Sequence, residues 1–342
     1  MTRSASRDGF ASTTHTAFVA APPRAVYQLI ADVTRWPCVF APTVHVERLE
    51  RMDDETERLR VWAIANGATR GWISRRTLDP EGLRVRFTQE RPLPPVLSMA
   101  GEWVLVPLPG NATSVVLLHE FQAIDDDPGH VALITQTIDR TATMELAAVK
   151  GVAELGERLP RLVRSFSETA EVAAPLDVVY EFLSRAQDWP GRLPHVSRLL
   201  VDEAAPLQTV EMDTRDGDGA VRTTRSIRLC FPQHSIVYKQ IELPADVAAH
   251  VGGWYLEPID GGVRVTARST LMLSPERLGD ALWPNASMEQ AAILVEQALR
   301  RNCVATLRSA QETLCRARVA SVPAPRPASA RHDDAPLPTA GH

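Results

Sequence analysis

The chain has 342 residues, a formal net charge of −5, 44% hydrophobic and 23% charged residues. That length suits two domains of ordinary size with a core in each, and the composition is that of a globular chain. The acidic balance argues against a phosphate-binding surface and so against nucleic acid as a partner, and no apolar run approaches the roughly 18 residues of a membrane helix.

The first fifteen residues, MTRSASRDGFASTTH, lack the apolar core of a secretory signal. The four cysteines (Cys38, Cys230, Cys303, Cys315) form no CxxC pair and no Cys/His cluster. They read as reduced thiols of a cytoplasmic protein without a zinc site. Residues 1 to about 12 are polar and read as loose.

A strand over Thr14–Ala20 comes next, and then a helix that opens at Pro22 or Pro23. Proline suits a first helical turn, where its missing N–H has no intrahelical partner. Val26, Leu29 and Ile30 mark the buried face of this helix. Trp36-Pro37 is expected to end the helical region, because proline disfavours helix in the residue before it. Six strands follow, at about 43–51, 57–65, 69–79, 83–90, 99–107 and 113–123. They are punctuated by Asn66-Gly67, Asp79-Pro80-Glu81-Gly82 and Pro109-Gly110-Asn111. A long helix over about 128–158 buries Ile138, Leu146 and Val149.

The chain then repeats itself. Thr169–Pro190 matches Thr16–Pro37 without a gap over 22 positions, ten of them identical. A repeat of this length means two copies of one domain. The second copy runs through strands at about 196–204, 208–216, 221–231, 235–242, 251–258 and 262–273 to a helix at about 287–316. We expect domains at 12–160 and 165–318, and a disordered tail at 319–342 that is rich in Ala, Pro, Arg and Ser. The element order predicts an α+β fold. In each copy a curved antiparallel sheet wraps a long C-terminal helix and leaves an internal cavity.

Chemistry concentrates on three strands. In GWISRRT, Trp72, Ser74 and Arg76 share one face, and periodicity leaves open whether that face is inside. In Ser114–Gln122, His119 lies on a face with Val115, Leu117 and Phe121. A histidine there is either a hydrogen-bonded core residue or a proton carrier. Trp103 in GEWVLVP recurs as Trp254 in GGWYLEP, as core packing or as a flat wall.

WP followed by Phe40, then WxSRR, GEWxxxP and a strand ending LHEF together resemble the aromatase/cyclases of bacterial type II polyketide synthases. The duplication resembles their di-domain subclass, over residues 12–316. The resemblance implies a helix-grip, START-like (Bet v 1-like) fold. It implies regiospecific aldol closure of the first ring of a poly-β-ketone, followed by dehydration to an aromatic. It also implies an acyl carrier protein and other synthase subunits as partners, with no membrane involved. Arg76, Ser74 and His119 are the catalytic residues it points to, and Trp36, Phe40, Trp72 and Trp103 the aromatic walls. Some relatives carry a tyrosine where this chain has Thr43, so a role for that phenol is not carried over. No metal or redox cofactor is needed, since the polyketide supplies both carbon acid and electrophile. The alternative is a non-catalytic START-like carrier or sensor of an apolar molecule, or an interaction module without a cavity.

In copy 2 the matched pocket residues are Ser226, Arg228, Tyr238, Trp254 and Ser269. Thr224 stands for Trp72, and Ser269 for His119. Here two arguments diverge. Resemblance turns Arg228 inward, while the alternating Ile227, Leu229 and Phe231 form the apolar face and turn it outward. We expect copy 1 to carry most of the chemistry.

Overall fold

In each half of the computed structural model, a meander of antiparallel strands is closed by the strand that precedes it in the sequence. The structure describes residues 2–5, 9–65, 67–215, 219, 221–274 and 288–320, without the side chains of 2–5, 288 and 317–320. The expected tail beyond 320, Asn66 and most of the 216–219 turn lie outside the described residues.

The first half contains β1 (Thr2–Ala5), β2 (Ala11–Val19), α1 (Pro23–Ala31), α2 (Trp36–Val39), β3 (Thr43–Arg51), β4 (Thr56–Ala65), β5 (Ala68–Asp79), β6 (Arg84–Gln89), β7 (Val96–Leu108), β8 (Ala112–Ala123), α3 (Pro128–Ala153) and the turn α4 (Leu159–Leu162). The second contains β9 (Val163–Val172), α5 (Leu176–Ser184), α6 (Trp189–Arg192), β10 (Val196–Ala204), β11 (Leu207–Arg215), β12 (Val221–Phe231), β13 (Ser235–Glu242), β14 (Val247–Ile259), β15 (Gly262–Leu273) and α7 (Met288–Ala320). The sheet orders are β1-β2-β8-β7-β6-β5-β4-β3 and β10-β11-β12-β13-β14-β15-β9. Bulges at Val96/Ser98 and at Val247/Ala249 interrupt matched strands of the two sheets, and such bulges bend a sheet.

The long helices lie across the concave faces, with α3 packed on β2 and β8, and α7 on β9 and β15. One core joins Val26 and Ile30 of α1, Leu105, Val115 and Leu117 of the sheet, and Leu146 and Val149 of α3. Its counterpart joins Val179 and Leu183 to Trp254, Val265 and Leu307.

Two local expectations change. The N-terminal segment is not loose throughout: β2 starts at Ala11, and Thr2–Ala5 pairs along it, using backbone groups that a sheet edge leaves open. Trp36-Pro37 opens a helical turn rather than ending one. Trp36 is right-handed helical (φ −53°, ψ −42°), and Pro37 sits where an N–H would have no partner.

The convex faces of the two sheets pack on each other. Val44 and Trp62 from the first half meet Ile227, Leu229 and Val237 from the second in one buried cluster, with Ile64 and Phe231 at its margin. The apolar alternation in β12 therefore marks an interface between halves and not the interior of its own half. Arg228 faces inward at 3% exposure, which corrects the outward placement that periodicity alone would give.

Candidate active site

The last carbonyls of a helix have no intrahelical partner and carry the negative end of its dipole. In α1 these carbonyls are met by Arg76, which is 2% exposed. Its Nη1 donates to Ile30 O at 2.9 Å and its Nη2 to Ala31 O. Its Nε donates to Glu57 Oε1 at 2.5 Å, while Arg48 holds the other Glu57 oxygen. The guanidinium lies over the Trp36 ring, 5.3 Å from its centroid. The Trp36 indole N–H itself donates to Ile30 O at 3.1 Å, and Phe40 meets the ring edge-on at 5.5 Å. Burial draws the Arg76 pKa down, and Glu57 opposes that effect.

Trp72, Ser74 and Arg76 thus occupy the inner face of β5. Trp72 is half-buried beside Val33, Leu59, Val61 and Trp36, and the Ser74 hydroxyl donates to Thr88 O at 3.2 Å. Trp103 and Phe40 are buried in the main core. Thr43 is 7% exposed.

Cross-strand pairing sets the rest of the geometry. Glu57, Arg76, Phe87, Gly101, His119 and Thr13 form one row across the first sheet. Gln208, Arg228, Tyr238, Gly252, Ser269 and Phe166 form the same row in the second. The glycine in each row is needed, because a Cβ on Gly101 would lie 2.3 Å from Phe87 Cζ and one on Gly252 2.4 Å from the Tyr238 hydroxyl. The aromatic ring leans into the space that the glycine leaves.

His119 meets Phe87 edge to face, with centroids 5.6 Å apart. Burial, reinforced by nearby His15, pulls its pKa down to about 4, so the ring is neutral at pH 7. His15 Nε2 lies 3.1 Å from Asp139 Oδ1 on α3; a carboxylate only accepts, so that nitrogen carries the proton. Among the described residues, nothing lies within hydrogen-bonding distance of three buried atoms here: Thr13 Oγ1, His15 Nδ1 and His119 Nδ1. Buried polar atoms are nearly always paired, so three orphans on two adjacent strands are unusual. Asp139 holds α3 against β2 at His15, and Glu145, partly buried, lies between Ala142 and Val149 further along the same helix. Desolvation raises the Glu145 pKa to about 7.

The second half repeats the clamp in neutral form. Arg228 donates to Leu183 O at 2.6 Å and to Gln208 Oε1 at 2.8 Å, and it covers Trp189 at 4.8 Å. Ser226 lies on the same inner face of β12, and Trp254 lies in the core. The structure therefore brings Ser74 and Arg76 together on β5 and sets His119 three strands away on the shared row. Glu57, His15, Glu145 and His250 were not anticipated. Glu57 was countable: the ninth pair outward from the 66–67 turn brings it opposite Arg76. The others depend on packing between separate elements and leave no local signal.

Two tandem units, each an antiparallel sheet packed on a long helix around a buried arginine clamp, define a duplicated α+β protein. The chain belongs to the polyketide cyclase/dehydrase and lipid transport family, whose models match residues 19–132 and 163–312. It is 43% identical over 305 residues to the granaticin polyketide synthase bifunctional cyclase/dehydratase of Streptomyces violaceoruber, covering 89% of this chain and 94% of that one. It is 42% identical over 318 residues to the actinorhodin polyketide synthase bifunctional cyclase/dehydratase of Streptomyces coelicolor, covering 89% and 97%. Among solved structures, it is similar to the di-domain ARO/CYC BexL from the BE-7585A biosynthetic pathway (TM-score 0.81, 41% identity, 89% of this chain and 98% of that one). It is also similar to the di-domain ARO/CYC StfQ from the steffimycin biosynthetic pathway (TM-score 0.78, 32% identity, 90% and 99%).

Proposed function

We propose that the chain is a polyketide aromatase/cyclase that closes the first ring of a poly-β-ketone by aldol addition and dehydrates it. The substrate arrives on an acyl carrier protein, and the enzyme works with the other subunits of an aromatic polyketide synthase in the cytoplasm. Residues 12–160 form the domain that closes the ring, and residues 165–318 the second domain.

The observation that carries this reading is the orphaned trio of Thr13, His15 and His119 on β2 and β8, where Asp139 of α3 meets His15. A polar interior without partners is costly unless a ligand completes it. A poly-β-ketone presents oxygens at every second carbon: Thr13 and a His119 N–H can donate to its carbonyls, and His15 Nδ1 can accept from an enol hydroxyl. Aldol closure moves negative charge onto oxygen, and a neutral imidazole N–H is a competent donor to that oxygen. Glu145, titrating near neutrality, takes the proton from carbon; the new C–C bond forms and the resulting alkoxide takes that proton back. Dehydration of the ring-closed β-hydroxy ketone then removes a carbon proton, breaks the C–O bond and releases the oxygen as water.

The expectation that Arg76 donates to the substrate is revised here. Three of its five N–H groups donate to protein, one from each nitrogen, and the residue is 2% exposed, so we assign it as a positioning residue that fixes Trp36 and the end of α1. Ser74, bonded to Thr88 O, belongs to the same wall, and the aromatic walls restrict which carbons meet.

His119→Phe is the direct test, because it keeps ring volume and removes both nitrogens. In a reconstituted synthase, aromatic first-ring product is expected to fall about 10²-fold or more with an unchanged melting temperature. Product at the parent rate from folded His119→Phe protein would overturn the assignment.

A further inference from the structure

The second domain lacks the histidine of the shared row but holds another one nearby. His250 lies on β14 two residues before Gly252, the place Met99 takes before Gly101. It is 4% exposed. Its Nδ1 is 2.9 Å from Gln240 Oε1 and its Nε2 2.9 Å from Ser269 Oγ. The amide oxygen accepts only, which puts the proton on Nδ1 and leaves Nε2 to accept from the Ser269 hydroxyl. The Tyr238 phenol reaches over Gly252, the residue paired with Ser269 on the next strand, and its ring meets His250 edge-on with centroids 5.6 Å apart.

These residues mark where the two interiors differ. Phe87 becomes Tyr238, Met99 becomes His250 and His119 becomes Ser269. Three changes at scattered sequence positions bring three polar side chains into one cluster, with Ser269 bonded to His250 and the Tyr238 phenol beside them. A merely inert interior would keep the apolar residues, since buried polar groups stabilise nothing unless fully paired. Tyr238, Gln240, His250 and Ser269 lie on the strand faces turned toward α7, the faces that also carry Arg228 and Trp254.

We propose that Tyr238, Ser269 and His250 form a second proton-transfer site, which takes the ring-closed β-hydroxy ketone and eliminates water from it. Ser269 Oγ receives the carbon proton α to the ketone as its own proton passes to His250 Nε2. The C–H electron pair becomes the new C=C bond. The C–O bond breaks, and the departing oxygen takes the phenolic proton of Tyr238 and leaves as water. The proton on His250 then returns through Ser269 to the tyrosinate, and the site is reset. Gln240 is a positioning residue that holds the imidazole tautomer. The inference rests on the cyclase reading above and divides the labour: closure in the first domain, completion of dehydration in the second.

The test uses the full chain in a reconstituted synthase, read by mass spectrometry of the products. Y238F and H250M each install the residue of the first domain, so shape is kept at both places. Each is expected to accumulate ring-closed product that retains the water, with dehydrated product down at least tenfold and the joined carbons unchanged. Y238F removes one oxygen atom and keeps the proposal testable if H250M fails to fold. Dehydrated product at the parent rate from folded Y238F would overturn the inference. If the parent protein yields no ring-closed product at all, the cyclase reading fails, which is a different result from either outcome.

Discussion

Arg76 carries more structure than its place in a motif conveys. Its charge is buried against Glu57 and against two helix-end carbonyls, so removing it strands all three. Arg76→Ala is expected to lower the unfolding free energy by about 3–5 kcal/mol in urea titrations. Glu57→Gln copies the Gln208–Arg228 pair of the second domain and is expected to have a much smaller effect. Equal losses from both variants would show that the pair's charge, and not the hydrogen bonding of the arginine, holds α1 in place. The sequence placed this arginine on the right strand but left its side open. The reason is physical: in β12 the outer face is buried against the other half, so alternation does not separate inside from outside, while in β5 the inner face carries the polar Ser74 and Arg76 and the outer face meets water at Gly71 and Arg75.

At the scale of elements, the strands were legible almost residue by residue, because turn residues bracket alternating runs. The turn after β7 is an example: in its three-residue loop of Pro109, Gly110 and Asn111, Gly110 and Asn111 both take positive φ (76° and 60°), the left-handed region that Gly and Asn tolerate best. The helical turn at Trp36 was misread, since a rule about the residue before proline was outweighed by the tertiary contacts of the indole. The pairing of an aromatic with a glycine across β6–β7 and across β13–β14 needed register, which single strands do not reveal. It makes a sharp prediction. Gly101→Ala puts a methyl group against Phe87 and 2.6 Å from Leu118 O, and overpacking of this kind costs about 1–3 kcal/mol. The double variant Gly101→Ala with Phe87→Ala should recover part of that loss relative to Phe87→Ala alone, as a thermal-melting cycle would reveal. Complete additivity would contradict the contact.

Over the whole molecule, the repeat marks two units but hides how they are joined. Lys239 on β13 is 4% exposed and crosses to the first domain. Its ammonium donates to the carbonyls of Phe40, Ala41 and Thr43 at 2.9, 2.8 and 2.9 Å. Those residues follow the Trp36 turn, so the second domain fixes an aromatic wall of the first. Burial draws the Lys239 pKa down to about 8; the three carbonyls oppose that pull by favouring the ammonium form. Lys239→Met leaves the carbonyls unpaired, and about 2–5 kcal/mol of stability should be lost in urea unfolding. Unchanged stability would show that the apolar cluster around Trp62 holds the domains without it. The duplicated architecture was plain in the repeat, whereas the differing interiors of the copies depend on side chains that only the sheet register brings side by side.

The central claim is that this chain steers and dehydrates the first ring of a polyketide. The most direct measurement is the product profile of a reconstituted minimal aromatic polyketide synthase with and without the protein. The account predicts a shift from mixed, spontaneously cyclised products to one dehydrated first-ring product when the protein is added. An identical profile in both reactions would contradict it and would favour the reading of a non-catalytic carrier.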